Sequence, residues 1–139
     1  MKARRVEGLD PKGSLRDNAG RIVATRLQEL RRFAERALEP GAATAQHEMR
    51  IAAKRLRYVL EVTESCFGEE AVVARRAVKE LQGVLGDIHD CDVMLPRVEG
   101  ITSLTTLLRA RREQLFRDFH DLWQAEASRG TWAALERNL

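Results

Sequence analysis

Residues 47–62, HEMRIAAKRLRYVLEV, constrain the fold more than any other stretch of the chain. Read as a helix at about 100° per residue, they place Met49, Ala52, Ala53, Leu56, Val59 and Leu60 on one face. Ile51, Tyr58 and Val62 fall on a second side. A surface helix needs one apolar stripe. Two stripes need cover from two directions, so this helix is central in its fold or is partly covered by a partner chain. Along its flank stand His47, Arg50, Lys54 and Arg57, at i, i+3, i+7 and i+10. At about 1.5 Å per residue that row is roughly 15 Å long. Like charges at such spacing repel, and Glu61 and Glu64 continue the row only after the basic residues end. A solvated face accounts for most rows of this kind. The alternative is a strip that binds a polyanion.

The remaining chain supplies helices to pack against it. Residues 1–13 are polar, carry Pro11 and Gly13, and read as a flexible arm ahead of a single helical domain over 14–139. Ser14 caps a first helix, with Asp17 three residues on. The helix runs to about Leu38 on the stripe Leu15, Ala19, Ile22, Val23, Leu27, Leu30, Ala34 and Ala37. Pro40-Gly41 stops it. Thr44 is the expected cap of the second helix, which extends to about Cys66 with Phe67 prolonging its apolar face. After Gly68 a third helix begins near Glu69, acidic residues suiting its positive end. Its core stripe is Ala74, Ala77, Val78, Leu81, Leu85 and Ile88, and its rhythm continues through Cys91 and Leu95 to an exit at Pro96 and Gly100. Gly83 and Gly86 inside it each cost about 1 kcal/mol relative to Ala, which points to close approach of another backbone or a ligand, or to a break. A fourth helix starts at Thr102 or Ser103 with inner residues Leu104, Leu107, Leu108, Leu115, Phe119, Leu122 and Trp123, and ends at Gly130. Thr131 caps a short last helix holding Trp132 and Leu135. No strand pattern is present. The expected fold is all-α, an antiparallel four-helix bundle with a short C-terminal helix.

Composition narrows the function only modestly. A net charge of +3 does not itself imply nucleic acid, so any case must rest on clustering. Cys66 and Cys91 lack zinc or redox spacing and fit small buried residues of a reduced protein. The start carries no apolar core of a signal peptide and no run is long enough to span a membrane. The expected compartment is the cytoplasm.

Two stretches together carry a resemblance. One is His47-x-x-Arg50-x-x-x-Lys54-Arg55-x-Arg57. The other is Lys79-x-Leu81-Gln82-x-x-Leu85-Gly86-Asp87-x-x-Asp90-x-Asp92, within VKELQGVLGDIHDCDVM. They resemble the two signatures of the CHAD domain, the conserved histidine α-helical domain, over about residues 8–128. The resemblance implies an all-helical, non-catalytic module that binds inorganic polyphosphate through basic residues. Carried onto this sequence, it implicates His47, Arg50, Lys54, Arg55, Arg57 and Lys79. Arg75, Arg109 and Arg112 are expected to assist. The family usually carries two related four-helix units and this sequence shows one, so a homodimer is the expected way to complete the cavity.

The chemistry is independent of the family. Arg offers forked, charge-assisted hydrogen bonds to phosphate oxygens and Lys a mobile point charge. Arg55 points off the row, toward the Ile51 and Tyr58 side. Asp87, Asp90 and Asp92 are expected to support the site, at least one of Asp90 and Asp92 pairing with an arginine of the second helix. A divalent metal on His89, Asp90 and Asp92 is the alternative, though their spacing does not converge on a helix. His47 also suits phosphotransfer, but no general base, oxyanion device or nucleotide loop accompanies it. Nucleic acid is disfavoured because exposed aromatics do not interleave with the basic residues. No cofactor is called for, and His120 reads as surface.

Overall fold

The computed structural model describes residues 2–139. The helices are α1 (Leu15–Ala37), α2 (Ala43–Thr63), α3 (Glu69–Arg97), α4 (Thr102–Ser128) and α5 (Thr131–Arg137). A single 3-10 turn, Glu64–Cys66, ends the second helical segment earlier than the apolar rhythm suggested. The described residues contain no strand, and the fold is an all-α bundle of long helices with a short terminal one. Packing follows chain order: α1 on α2, α2 on α3, α3 on α4, with α5 against α3 and α4. α2 and α3 are therefore the central pair, each covered on two sides.

Local chemistry sets the helix ends. The Ser14 hydroxyl accepts the Asp17 backbone N–H at 3.1 Å, closing α1 as the sequence indicates. Thr44 does not cap α2. That helix starts at Ala43 with no side-chain cap. Gln46, in its first turn and fully buried, instead donates its amide back to the carbonyls of Ala37 and Glu39, at 3.1 and 3.0 Å. One side chain thus satisfies the open carbonyl end of α1 and fixes the α1–α2 turn. At the last turn Gly130 occupies the cap position with φ 71°, a left-handed conformation that suits glycine. Thr131 donates its hydroxyl to buried Glu126 rather than capping α5.

The core is built from Ala19, Val23, Leu27 and Leu30 of α1, Met49, Ala53, Leu56 and Leu60 of α2, and Val78, Leu81, Leu85 and Ile88 of α3. Each fully buried Leu or Ile contributes about 1.5–3 kcal/mol relative to exposure. Alanines 52, 53, 74 and 77 thin the layer between α2 and α3. That lets polar residues on the rim of the contact reach across from one helix to the other. Phe119 and Trp123 bring α4 into the same core, and Trp132 of α5 stacks on Trp123 at 5.4 Å.

Helix lengths explain where the apolar pattern misleads. α3 has 29 residues and α2 has 21, or about 44 Å against about 32 Å. The last turns of α3 and the first turns of α4 therefore overhang the bundle. Leu104 and Leu107, expected on an inner face, are exposed there with Val93, Met94 and Ile101. On α2's second apolar side Ile51 is half-buried, while Tyr58 and Val62 are 48% and 80% exposed. The N-terminal arm is extended, but it is tied to α1. Asp10 and Asn18 exchange backbone–side-chain hydrogen bonds of 2.8 and 2.7 Å, and Arg26 donates to the Arg4 carbonyl. Cys66 and Cys91 are both free. Among the described residues, no helix is long and apolar enough to cross a membrane.

Candidate anion-binding groove

Between α2 and α3 lies an open groove of about 330 Å³, lined by Arg50, Arg57, Lys79, Gln82, Gly83, Gly86, Asp87 and Asp90. It exists because the two central helices run antiparallel in a matched register. His47 meets His89, Arg50 meets Gly86, and Arg57 lies opposite Lys79. Residue numbers rise along α2 by the same steps, three and then seven, by which they fall along α3. One flank of each helix therefore forms one wall.

The two glycines serve the groove rather than breaking α3. A Cβ at Gly86 would lie 3.4 Å from the Arg50 Nε, so the missing side chain is where that guanidinium rests. A Cβ at Gly83 would meet nothing within 4 Å, so this position keeps the groove open. Farther along, the Arg57 guanidinium lies 4.9 Å from the centre of the Tyr58 ring, and the Lys54 amine 5.7 Å from it. The negative face of the ring relieves part of the repulsion within the basic row.

What sets this groove apart is the state of its polar atoms. Arg50 Nε, Arg57 Nε, His47 Nδ1 and Gln82 Oε1 are all shielded from solvent. None has a hydrogen-bond partner among the described residues. Arg57 Nε has only the Glu61 carboxylate nearby, at 3.4 Å, without hydrogen-bond geometry. Polar groups left without a partner in this way are costly. Three are borne by residues that are cationic or can become so. An anionic ligand seated in the groove would give those three an acceptor, whereas Gln82 Oε1 is itself an acceptor and needs a donor.

His47 sits at the end of the row, its ring stacked on that of His89 with centroids 4.1 Å apart and planes 19° apart. Burial pushes its pKa below the usual value, and the neighbouring His89 and Arg50 push the same way, against a smaller opposite pull from Glu48. Near-parallel rings do not aim their in-plane lone pairs at one point. Among the described residues, no group of three or more His, Cys, Asp or Glu is arranged to hold a metal ion.

The residues named from sequence thus divide. His47, Arg50, Arg57 and Lys79 come together, with Lys54 beside them on the exposed side. Arg55 turns toward α1, its guanidinium 4.0 Å from the buried Glu29 carboxylate. Arg75 is held by Glu64 at 2.5 Å. Arg109 lies on the α3–α4 overhang, in a separate cavity of about 600 Å³ shared with Asp92 and Glu99. Arg112 is clamped. It donates to both Asp92 oxygens, to the Pro40 carbonyl and to the Gln46 side-chain oxygen. The pairing expected between an Asp of α3 and an arginine of α2 is therefore corrected, since Asp92 takes its arginine from α4. Asp87 and Asp90 line the groove itself, two carboxylates against the three cations Arg50, Arg57 and Lys79. Sequence reasoning missed His89 as the partner of His47, and Gln82. The spacing of Lys79, Gln82 and Gly86 along one flank of α3 was the signal for Gln82, whereas the His47–His89 stack depends on a register that no single helix displays.

Residues 2–99 match the profile of the CHAD domain. The chain belongs to the CHAD domain family. No curated protein and no solved structure matches it. The CHAD match covers the arm, α1, α2 and α3 and stops at the α3–α4 turn, so both walls of the groove lie inside it and Arg109 and Arg112 lie outside. The CHAD domain is linked in general to polyphosphate binding.

Proposed function

We propose that this CHAD domain binds inorganic polyphosphate in the α2–α3 groove, without chemistry. The observation that supports this best is the set of unpartnered guanidinium Nε atoms of Arg50 and Arg57 in one groove with Lys79. A polyphosphate thread carries about one charge per unit and is narrow enough to follow a cleft between two helices. Arg50 and Arg57 bind its oxygens by charge-assisted hydrogen bonds, and Lys79 adds charge from the facing wall. Both arginines stand on a rigid helix, so little ordering is lost on binding. A DNA duplex is too wide to enter, and the one aromatic beside the row, Tyr58, already carries two cations.

Competition at fixed salt among long-chain polyphosphate, pyrophosphate, duplex DNA and RNA tests the reading. Polyphosphate is expected to displace the others at matched phosphate concentration, with affinity falling steeply as salt rises. Equal or better binding of DNA would replace polyphosphate with nucleic acid as the ligand.

A homodimer is the second part of the proposal. It is supported by the exposure of Tyr58, beside Arg57, and of Val62 one turn farther along α2, a pattern common at interfaces. Tyr58→Glu should then weaken self-association and polyphosphate affinity together in sedimentation equilibrium. A monomer with and without polyphosphate would contradict it.

A further inference from the structure

The His47–His89 stack continues the Arg50–Gly86 contact by one helical turn, in a way that the arginines do not require. The two rings come from different helices, are each half-buried, and lie one helical turn beyond Arg50 and Gly86. Farther along, Gln46 of α2 and Asp92 of α3 are both bonded to Arg112 of α4. We propose that His47 and His89 form a proton-loaded phosphate subsite, in which an incoming phosphate group brings one proton from solvent onto each ring. The proposal rests on the polyphosphate reading above and specifies how one end of that site works.

The argument is geometric. Two neutral imidazoles stack well with centroids 4.1 Å apart. Two imidazolium rings at that separation repel, in a setting that is partly desolvated and already faced by Arg50. The nearby carboxylates offset this only in part: Asp87 and Asp90 in the groove favour a first proton, but none is placed between the two rings. Glu48 on α2 acts only weakly on His47. On α3, Asp92 is committed to Arg112, while Asp87 and Asp90 line the groove and make no ion pair within 4 Å among the described residues. In the empty protein a positive charge on one ring therefore disfavours a second on the other, because the rings are in contact.

An anion changes the balance. A phosphate group that reaches the ring nitrogens, once a small turn of the rings uncovers the shielded His47 Nδ1, accepts a hydrogen bond from each imidazolium and screens one charge from the other. His47 Nδ1 has no hydrogen-bond partner in the empty groove, as expected of a site whose partner arrives with the ligand. Protons bound with the ligand make affinity depend on pH by linkage. Each proton taken up contributes up to tenfold in affinity per unit fall in pH. The internal phosphates of a long chain do not titrate near neutrality, so the dependence belongs to the protein.

The test is calorimetric titration of the full chain with long-chain inorganic polyphosphate, between pH 6 and 8, in pairs of buffers that differ in ionisation enthalpy. The wild type is expected to take up more than one proton per site near pH 7, and its affinity to rise more than tenfold per unit fall in pH. His89→Phe keeps a ring to stack but cannot take the proton, and should lower uptake to one proton or less. His47→Phe should do the same. The His47 imidazole resonances of the free protein, followed by nuclear magnetic resonance, should titrate below the usual histidine range because the ring is partly buried. Tight binding with uptake below one proton, or a His89→Phe profile matching the wild type, overturns the subsite and leaves the groove standing. No polyphosphate binding at any pH overturns both.

Discussion

Two sites built on arginine, a clamp around Arg112 and a groove with Arg50 and Arg57, are made to opposite ends on this bundle. At the clamp, Arg112 is ringed by acceptors from three parts of the chain: Asp92 of α3, Gln46 of α2 and the Pro40 carbonyl of the α1–α2 turn. In the groove, Arg50 and Arg57 present shielded Nε atoms that have no hydrogen-bond partner among the described residues. The residue type is the same and the helices overlap. The difference lies in satisfaction. Where the fold supplies the acceptors, an arginine holds helices together, and where it withholds them, a ligand has somewhere to bind. Counting arginines on a helix face cannot separate the two cases.

The contrast is broken most forcefully at the clamp. Arg112→Ala leaves Asp92 without its cation and the buried Gln46 oxygen without its donor. It should cost about 3 kcal/mol of stability in a denaturant titration, while the fraction that stays folded binds polyphosphate as before. In the groove the signs reverse. Arg50→Ala and Arg57→Ala should each weaken polyphosphate binding about tenfold or more, the worth of a hydrogen bond to a charged group. Unfolding midpoints should barely move, because these side chains flank the core. An Arg50→Ala protein that unfolds would place Arg50 with Arg112 among the structural arginines.

Much of this was legible in the sequence, for reasons that are local. Ser14 with Asp17 marks a helix start through bonds within one turn. The second apolar side of α2 is not what makes the helix central, since Tyr58 and Val62 on it are exposed. The row His47, Arg50 and Arg57 and the flank bearing Lys79 follow from helical spacing alone. What was not legible depends on how helices register against each other. Nothing in the spacing of Arg75 or Arg112 shows that Glu64 and Asp92 wait across the gap. The exposure of Leu104 and Leu107 follows from a length mismatch between α2 and α3 that no single helix displays. The stacking of His47 on His89 needs the same register.

The smallest expected effect sharpens the contrast from the side of the backbone. Gly83→Ala adds a methyl group where nothing lies within 4 Å. It should stabilise the protein by about 0.5–1 kcal/mol through helix propensity, seen as a raised unfolding midpoint. If instead the helix is destabilised, α3 is under a local constraint at that position that an open groove does not explain.

The central claim is that the groove arginines await an anion and the clamp arginine does not. The side-chain Nε–H resonances of ¹⁵N-labelled protein, followed during titration with long-chain polyphosphate, test it most directly. The account predicts that the Arg50 and Arg57 signals shift and become protected from exchange as binding saturates, while the Arg112 signal, already bonded to Asp92, stays where it was. An Arg112 signal that moves with the ligand while Arg50 and Arg57 remain unchanged would contradict it.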